Sequence, residues 1–308
     1  MGKIAFVFSG QGAQYVGMGN DLYNNSEAAK KLFDYAESVR EGTIFQCFDG
    51  DADKLKQTEN TQPCLYLVDL ASALALNEKG IYADCAAGFS LGEIAALAYA
   101  GVYSYNDGFN TVCKRGLYMS ESACEYDTGM TAVLKLPSDK IEQLCKEFDG
   151  VYPVNYNSDA QTVVSGLKNQ IEQFKTRVAE NGGRCIDLAV SGAFHSPFMK
   201  NASEKFNGYL NGITLGKPLI DVYANYTAKP YGDNVYEALS MQMTNPVKWN
   251  ETVKNMILDG VDIFIEVGAG KTLTSLIKKI SKDVKTYNVE DITSLNSTVS
   301  EVKEYVKG

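Results

Sequence analysis

The chain has 308 residues, 45% of them hydrophobic and 22% charged, enough to bury the core of one large α/β domain carrying an insertion. Its formal net charge of -9 argues against nucleic acid as the main partner, because phosphate backbones demand a net supply of Lys and Arg; an acidic protein meeting a local basic patch stays possible. Seven cysteines stand singly at 47, 64, 85, 113, 124, 145 and 185, with no C-x-x-C pair to suggest a zinc or redox centre, which suits reduced thiols in a cytoplasm.

The apolar run in "KIAFVF" (3–8) is too short for a signal-peptide core and reads as a buried strand entering the glycine loop "SGQG". No segment reaches the length of a membrane span, so a soluble cytoplasmic protein is expected. A helix is predicted over 62–79, with Pro63 near its start and Gly80 after its end. A strand at 84–89 passes directly into the alanine-rich helix 91–101, and another helix covers 106–123. The texture then shortens: strand 130–136, helix 138–148, strands 151–157 and 162–166, helix 168–182, strand 184–190. This β-α-β-β-α-β order is a ferredoxin-like unit, placed at 125–190 as an insertion. Helical patterns follow at 197–210, 235–243 and 249–259, then the strand 262–268 and a helix from near Lys271. The expected architecture is an α/β-hydrolase-like subdomain (1–124 and 191–308) with a mostly parallel sheet, plus the inserted ferredoxin-like subdomain.

Two glycine loops invite nucleotide readings that their spacing refuses. In "SGQGAQYVGMG" Tyr15 occupies the position where a dinucleotide fingerprint needs a small residue, and "GAGKT" (268–272) has Ile265 where a P-loop needs its first glycine. The pentapeptide Gly88-Phe89-Ser90-Leu91-Gly92 is stronger, because a strand precedes it and a helix follows, the setting of a nucleophile elbow. A serine hydroxyl needs a base, and the chain holds one histidine, His195 in "SGAFHSPF" (191–198); any Ser-His pair must therefore be Ser90 with His195. The amide of Leu91 would start a helix and point at any oxyanion formed there. Arg115, near the apolar Phe109, Val112, Leu117 and Met119, either clamps a substrate carboxylate with paired hydrogen bonds or makes an internal ion pair.

Together "GQGAQ", "GFSLGE", "KRGLYM", "PVNYNS" with "QTVVSG", "AFHSPFM", "NPVKW" and "EVGAGKTL" resemble the malonyl-CoA:acyl-carrier-protein transacylase family in order and spacing. The resemblance implies Ser90 as nucleophile, His195 as proton carrier and the Gln11 and Leu91 amides as oxyanion hole. It implies Arg115 as the binder of the malonyl carboxylate, and the main-chain carbonyl of Gln242, not a carboxylate, as the group orienting His195. Phe194 would crowd an α-methyl branch and so select malonyl over methylmalonyl. Arg184 matches a docking position for the acidic carrier protein. The family often has histidine before the nucleophile, where this chain has Phe89, so a hydrogen-bonding group beside the acyl site is missing.

The expected reaction moves malonyl from malonyl-CoA to the phosphopantetheine thiol of acyl carrier protein through a Ser90 ester, without metal or redox cofactor, in a monomer. A trans-acting acyltransferase of a polyketide assembly line and an acyl-thioester serine hydrolase are the alternatives. A noncatalytic binding module that retains only the fold is the third.

Overall fold

A computed structural model describes residues 2–190 and 192–307, so Ser191 of the histidine segment lies outside the described residues. The strand β1 (Lys3–Phe8) is followed by the short helices α1 (Asn20–Asn25), α2 (Glu27–Val39), α3 (Thr43–Phe48) and α4 (Ala52–Leu55), then by the long α5 (Thr58–Glu78). Next come β2 (Cys85–Gly88), α6 (Gly92–Tyr99) and α7 (Tyr105–Ala123), the last capped by the Ser104 hydroxyl accepting from the Asp107 amide at 3.0 Å. The middle of the chain forms β3 (Thr128–Leu134), α8 (Ser138–Cys145), β4 (Val151–Ser158), β5 (Gln161–Leu167), α9 (Lys168–Glu180) and β6 (Arg184–Asp187). After it follow α10 (Lys200–Leu210), β7 (Asp221–Tyr223), α11 (Val235–Met241), α12 (Trp249–Leu258), β8 (Val261–Val267), α13 (Thr272–Ile280), β9 (Lys285–Val289) and α14 (Ile292–Lys307).

The outer segments build a parallel sheet in the order β7-β2-β1-β8-β9, and the middle segment an antiparallel sheet in the order β4-β5-β3-β6. This is the expected α/β architecture with its ferredoxin-like insertion. Residues 5 to 8 of β1 are buried on both faces: Phe6 and Phe8 pack into the core around α5, and Ala5 and Val7 into the one around Trp249. A sheet covered on both sides requires this unbroken apolar run. The antiparallel sheet has its own core of Val133, Ile141, Leu144, Val164, Phe174 and Val178.

Several elements depart from the sequence reading. The last subdomain strand ends at Asp187 rather than at 190; Leu188 and Val190 turn off the sheet and line a pocket instead. The long helix begins at Thr58, not 62, which puts Pro63 inside the helix, beyond a first turn in which the Asn60 and Thr61 amides both donate to the Gln57 carbonyl at 2.8 Å. The helices α1–α4 and α14 and the strands β7 and β9 had no predicted counterpart. The strand β7 has only three residues, and β9 is a half-buried edge, so neither shows a readable period.

Parallel pairing in register sets Phe8 beside Gly88, so the loops leaving β1 and β2 emerge side by side at the carboxyl edge of the sheet, where α/β proteins hold ligands. Close packing there depends on two glycines. A Cβ on Gly88 would sit 1.9 Å from the Gly92 carbonyl carbon, and one on Gly92 would sit 2.3 Å from the Phe8 carbonyl oxygen. We expect Gly92→Ala to lower stability by about 3 kcal/mol, the upper end of overpacking costs, because backbone rather than a flexible side chain must move. Urea unfolding, read as a lower midpoint at unchanged slope, checks it.

Candidate active site

Ser90 occupies the turn between β2 and α6 with φ +54°, and His195 lies in the segment before α10 with φ +59°; both are left-handed conformations that cost a non-glycine residue energy. The serine turn is braced from outside. Its amide donates to Asn225 Oδ1 at 2.8 Å, and Asn225 Nδ2 donates to the Gly88 carbonyl at 2.6 Å, so one carboxamide just beyond β7 clamps both sides of the elbow. His195 is held by burial, 4% exposed, and by its ring contacts.

Those contacts define a proton path. Ser90 Oγ lies 2.7 Å from His195 Nε2, and His195 Nδ1 lies 3.0 Å from the main-chain oxygen of Gln242. A carbonyl can only accept, so Nδ1 carries the hydrogen and Nε2 presents its lone pair to the serine hydroxyl. Neither ring contact is with a carboxylate. Burial first, and then the nearby Arg115 charge, push the imidazole down to about 4, so it rests neutral and ready to accept a proton at physiological pH.

Arg115 projects from α7 into the same place and is 0% exposed. Its guanidinium donates from Nη1 to Gln62 Oε1 at 2.7 Å, from Nη2 and Nε to Gln242 Oε1 at 2.8 and 3.2 Å, and from Nη2 to Ser90 Oγ at 3.1 Å. Every acceptor is neutral, and among the described residues no carboxylate comes within ion-pair distance. The internal ion pair considered from sequence is therefore not formed. Burial pulls the guanidinium down to about 10, which leaves it charged at neutral pH.

Gln11 and Leu91 line the pocket around Ser90, and neither main-chain N–H has a hydrogen-bond partner among the described residues. The Gln11 side chain is tied to Thr58 Oγ1 at 3.2 Å, which steadies its loop. Phe194, Met119 and Met130 form apolar walls of the pocket. Phe89 packs edge-on against Trp249, ring centroids 5.6 Å apart, and lines both this pocket and an adjoining larger cleft that includes Ala132, Val163 and Thr272. Asn155 and Asn157 also line that cleft, each with its buried Oδ1 unpartnered. Arg184 stands exposed on the edge strand β6, with no ion pair among the described residues.

Four polar residues at the centre escaped the sequence reading: Gln62, Glu93, Asn225 and Tyr231. The Gln242 side chain also exceeds its assigned part, since its Nε2 donates to the Ser90 carbonyl at 2.8 Å and to Glu93 Oε2. Only Glu93 left a signal, as a charged residue in the first turn of an otherwise apolar helix, where a solvated face would be the ordinary explanation; in the structure it is 0% exposed.

Because the chain has one histidine, its titration can be followed without assignment. We expect the imidazole signals of histidine-labelled protein in two-dimensional NMR to stay at the neutral position from pH 8 down to about 5.5, moving only as pH approaches about 4. A midpoint near the ordinary histidine value would contradict the burial and cation effects described above.

The family model of the acyl transferase domain matches residues 5–305. The malonyl CoA-acyl carrier protein transacylase of Bacillus subtilis strain 168 is 37% identical over 312 residues, covering 99% of this chain and 98% of the relative. The solved malonyl CoA-acyl carrier protein transacylase of Clostridium perfringens superposes with a TM-score of 0.95 at 37% identity, covering 98% of each chain. A malonyl-transacylase solved in complex with its type II PKS acyl-carrier protein gives a TM-score of 0.93 at 33% identity, covering 97% of this chain and 99% of the other. With a family model spanning nearly the whole chain, and relatives matched end to end, this chain belongs to the malonyl CoA-acyl carrier protein transacylases of the acyl transferase domain family.

Proposed function

We propose that the chain transfers malonyl from malonyl-CoA to the phosphopantetheine thiol of an acyl carrier protein through an ester on Ser90. The observation that carries this reading is a buried, charged guanidinium whose acceptors are all neutral, 3.1 Å from the nucleophile. Such a site is completed by an anion, and an acyl group that joins Ser90 and also reaches Arg115 must carry a carboxylate a short distance from its carbonyl.

In the first step His195 Nε2 takes the Ser90 proton as Oγ attacks the thioester carbon. The oxyanion is met by the free amides of Gln11 and Leu91, and the proton then passes from His195 to the departing coenzyme A sulfur. The second step reverses these roles: His195 takes the proton of the carrier thiol, whose sulfur attacks the ester, and returns it to Ser90. No electron changes hands, so the reaction needs no redox cofactor; the proposal also includes no metal, since His195 and the two amides supply the base and the oxyanion donors. Acylation turns Oγ into a poorer acceptor, which releases an Nη2–H of Arg115 to the malonyl carboxylate. Asn155 and Asn157 place carboxamides along the larger cleft, which suits the amide groups of a pantetheine arm. Phe194 would press against an α-methyl branch, favouring malonyl. Among the described residues no helix is long and apolar enough to cross a membrane, and action in the cytoplasm is part of the proposal.

Incubation with malonyl-CoA followed by intact-mass and peptide mass spectrometry should place a malonyl adduct on Ser90, absent in Ser90→Ala. Folded wild-type protein without the adduct would sink the reading, and release of free malonate without carrier protein as fast as transfer to it would favour a hydrolase. Arg115→Ala should weaken malonyl transfer by roughly 3–5 kcal/mol, about 150-fold or more, because a carboxylate is left unpaired in a buried site. Acetyl transfer, measured in parallel, should lose far less. Arg184→Glu should raise the KM for carrier protein severalfold while leaving malonyl-enzyme formation from malonyl-CoA unchanged, as expected for an exposed contact with an acidic partner.

A further inference from the structure

Glu93 has a completely buried carboxylate with no hydrogen bond to Ser90, His195 or Arg115; the residue's amide donates to the Ser90 carbonyl at 3.2 Å, and its carboxylate meets all three through one neighbour, Gln242. Its Oε1 accepts from the Tyr231 hydroxyl at 2.6 Å and from the Asn225 amide at 3.0 Å, and its Oε2 accepts from Gln242 Nε2. The opposite end of that carboxamide, Oε1, is the acceptor for both Nε and Nη2 of Arg115. An amide has one accepting and one donating end, and the two ends are nearly equal in shape. Nothing in Arg115 can donate to an NH2, so the orientation of Gln242 decides whether the guanidinium is anchored or repelled.

We infer that Glu93 is the positioning residue for acyl-carboxylate recognition: it locks the Gln242 carboxamide with its oxygen toward Arg115 and supplies that cation's countercharge from one amide away. This rests on the malonyl reading above and deepens it. A carboxylate in direct contact with Arg115 would occupy the donors that a malonyl group needs. A distant one would leave a bare buried cation. The relay through Gln242 keeps the guanidinium charged and pinned on one side while its face toward Ser90 stays available. The carboxylate form suits the position, because the Gln242 Nε2 and the Asn225 amide can only donate to it and the Tyr231 hydroxyl donates to it as well. In Glu93→Gln one end of the new amide must oppose an N–H, and turning the Gln242 amide to relieve this points its NH2 at Arg115 and its oxygen at the Ser90 carbonyl, so the anchoring of Arg115 is weakened by either route.

The test compares malonyl-CoA with acetyl-CoA as donors, because acetyl needs the same nucleophile and base but no carboxylate site. Wild-type protein must first give the malonyl adduct on Ser90; its absence would defeat the underlying malonyl reading and not this inference alone. Given that adduct, the ratio of kcat/KM for malonyl to that for acetyl should fall at least about tenfold in Glu93→Gln and in Gln242→Met. The double variant should fall no further than the larger single loss, as for residues acting through one contact. Glu93→Asp, which keeps the charge, should recover part of the ratio. Equal losses for both donors, or losses that multiply in the double variant, would overturn the inference and leave Glu93 a support of the fold. Where Glu93→Gln is not obtained folded, Tyr231→Phe removes one of the three donors without adding a polar group. The ratio should then drop about threefold, the scale of one lost hydrogen bond, and an unchanged ratio would overturn the inference.

Discussion

Burying a guanidinium is expensive, and the active centre is arranged around that constraint. Among the described residues Arg115 has no carboxylate at contact distance, so its charge is met by a shell of carboxamide and hydroxyl oxygens and by Glu93 one amide further out. The same cation helps to hold His195 neutral, which a general base requires, and it donates to the oxygen of the attacking serine. Glu93 shows the opposite face of the arrangement. Burial pushes its carboxyl up to about 7, while Tyr231, Gln242, the Asn225 amide and the Arg115 charge all favour the ionised form.

Gln242 is where the separate demands meet. Its main-chain oxygen selects the histidine tautomer, its side-chain oxygen anchors Arg115, and its side-chain nitrogen holds the Ser90 carbonyl and Glu93. One residue in a 3₁₀ turn at Gln242–Thr244 thus couples the base, the nucleophile and the acyl-recognition cation. Such coupling suits Ser90 and His195, both in left-handed backbone conformations that persist only when their surroundings determine them from several sides. The register of β1 with β2 and of β2 with β7 brings the Gln11 loop, the elbow and Asn225 to one edge of the sheet, and the antiparallel layer closes the opposite side through Asn155 and Leu188.

Much of this was legible without coordinates, for a reason particular to each part. The apolar run of β1 and the alternation of strand and helix around the elbow are local patterns, so the parallel sheet could be read from them. The β-α-β-β-α-β order of the insertion is likewise a property of consecutive segments. The short strand β7 could not be read, since three residues carry no period, although it places Asn225 against the nucleophile. Glu93 was hidden because a charged residue in the first turn of a helix looks solvated until the packing over it is known. Residue pattern alone left Arg115 between two uses, because a sequence lists acids and bases without their separation, and only the family resemblance assigned it to the malonyl carboxylate.

By itself, the sequence determined which atoms are available: a single imidazole, a serine flanked by glycines, an arginine near the apolar residues of its helix, and family motifs in a fixed order. Those are matters of identity and near-neighbour spacing, which a linear chain carries in full. Only the tertiary structure decided that the arginine has no carboxylate partner, that Gln242 faces three residues from distant segments, and that a buried glutamate stands behind it. These depend on distances and burial between residues separated by up to 152 positions along the chain, and folding alone sets them.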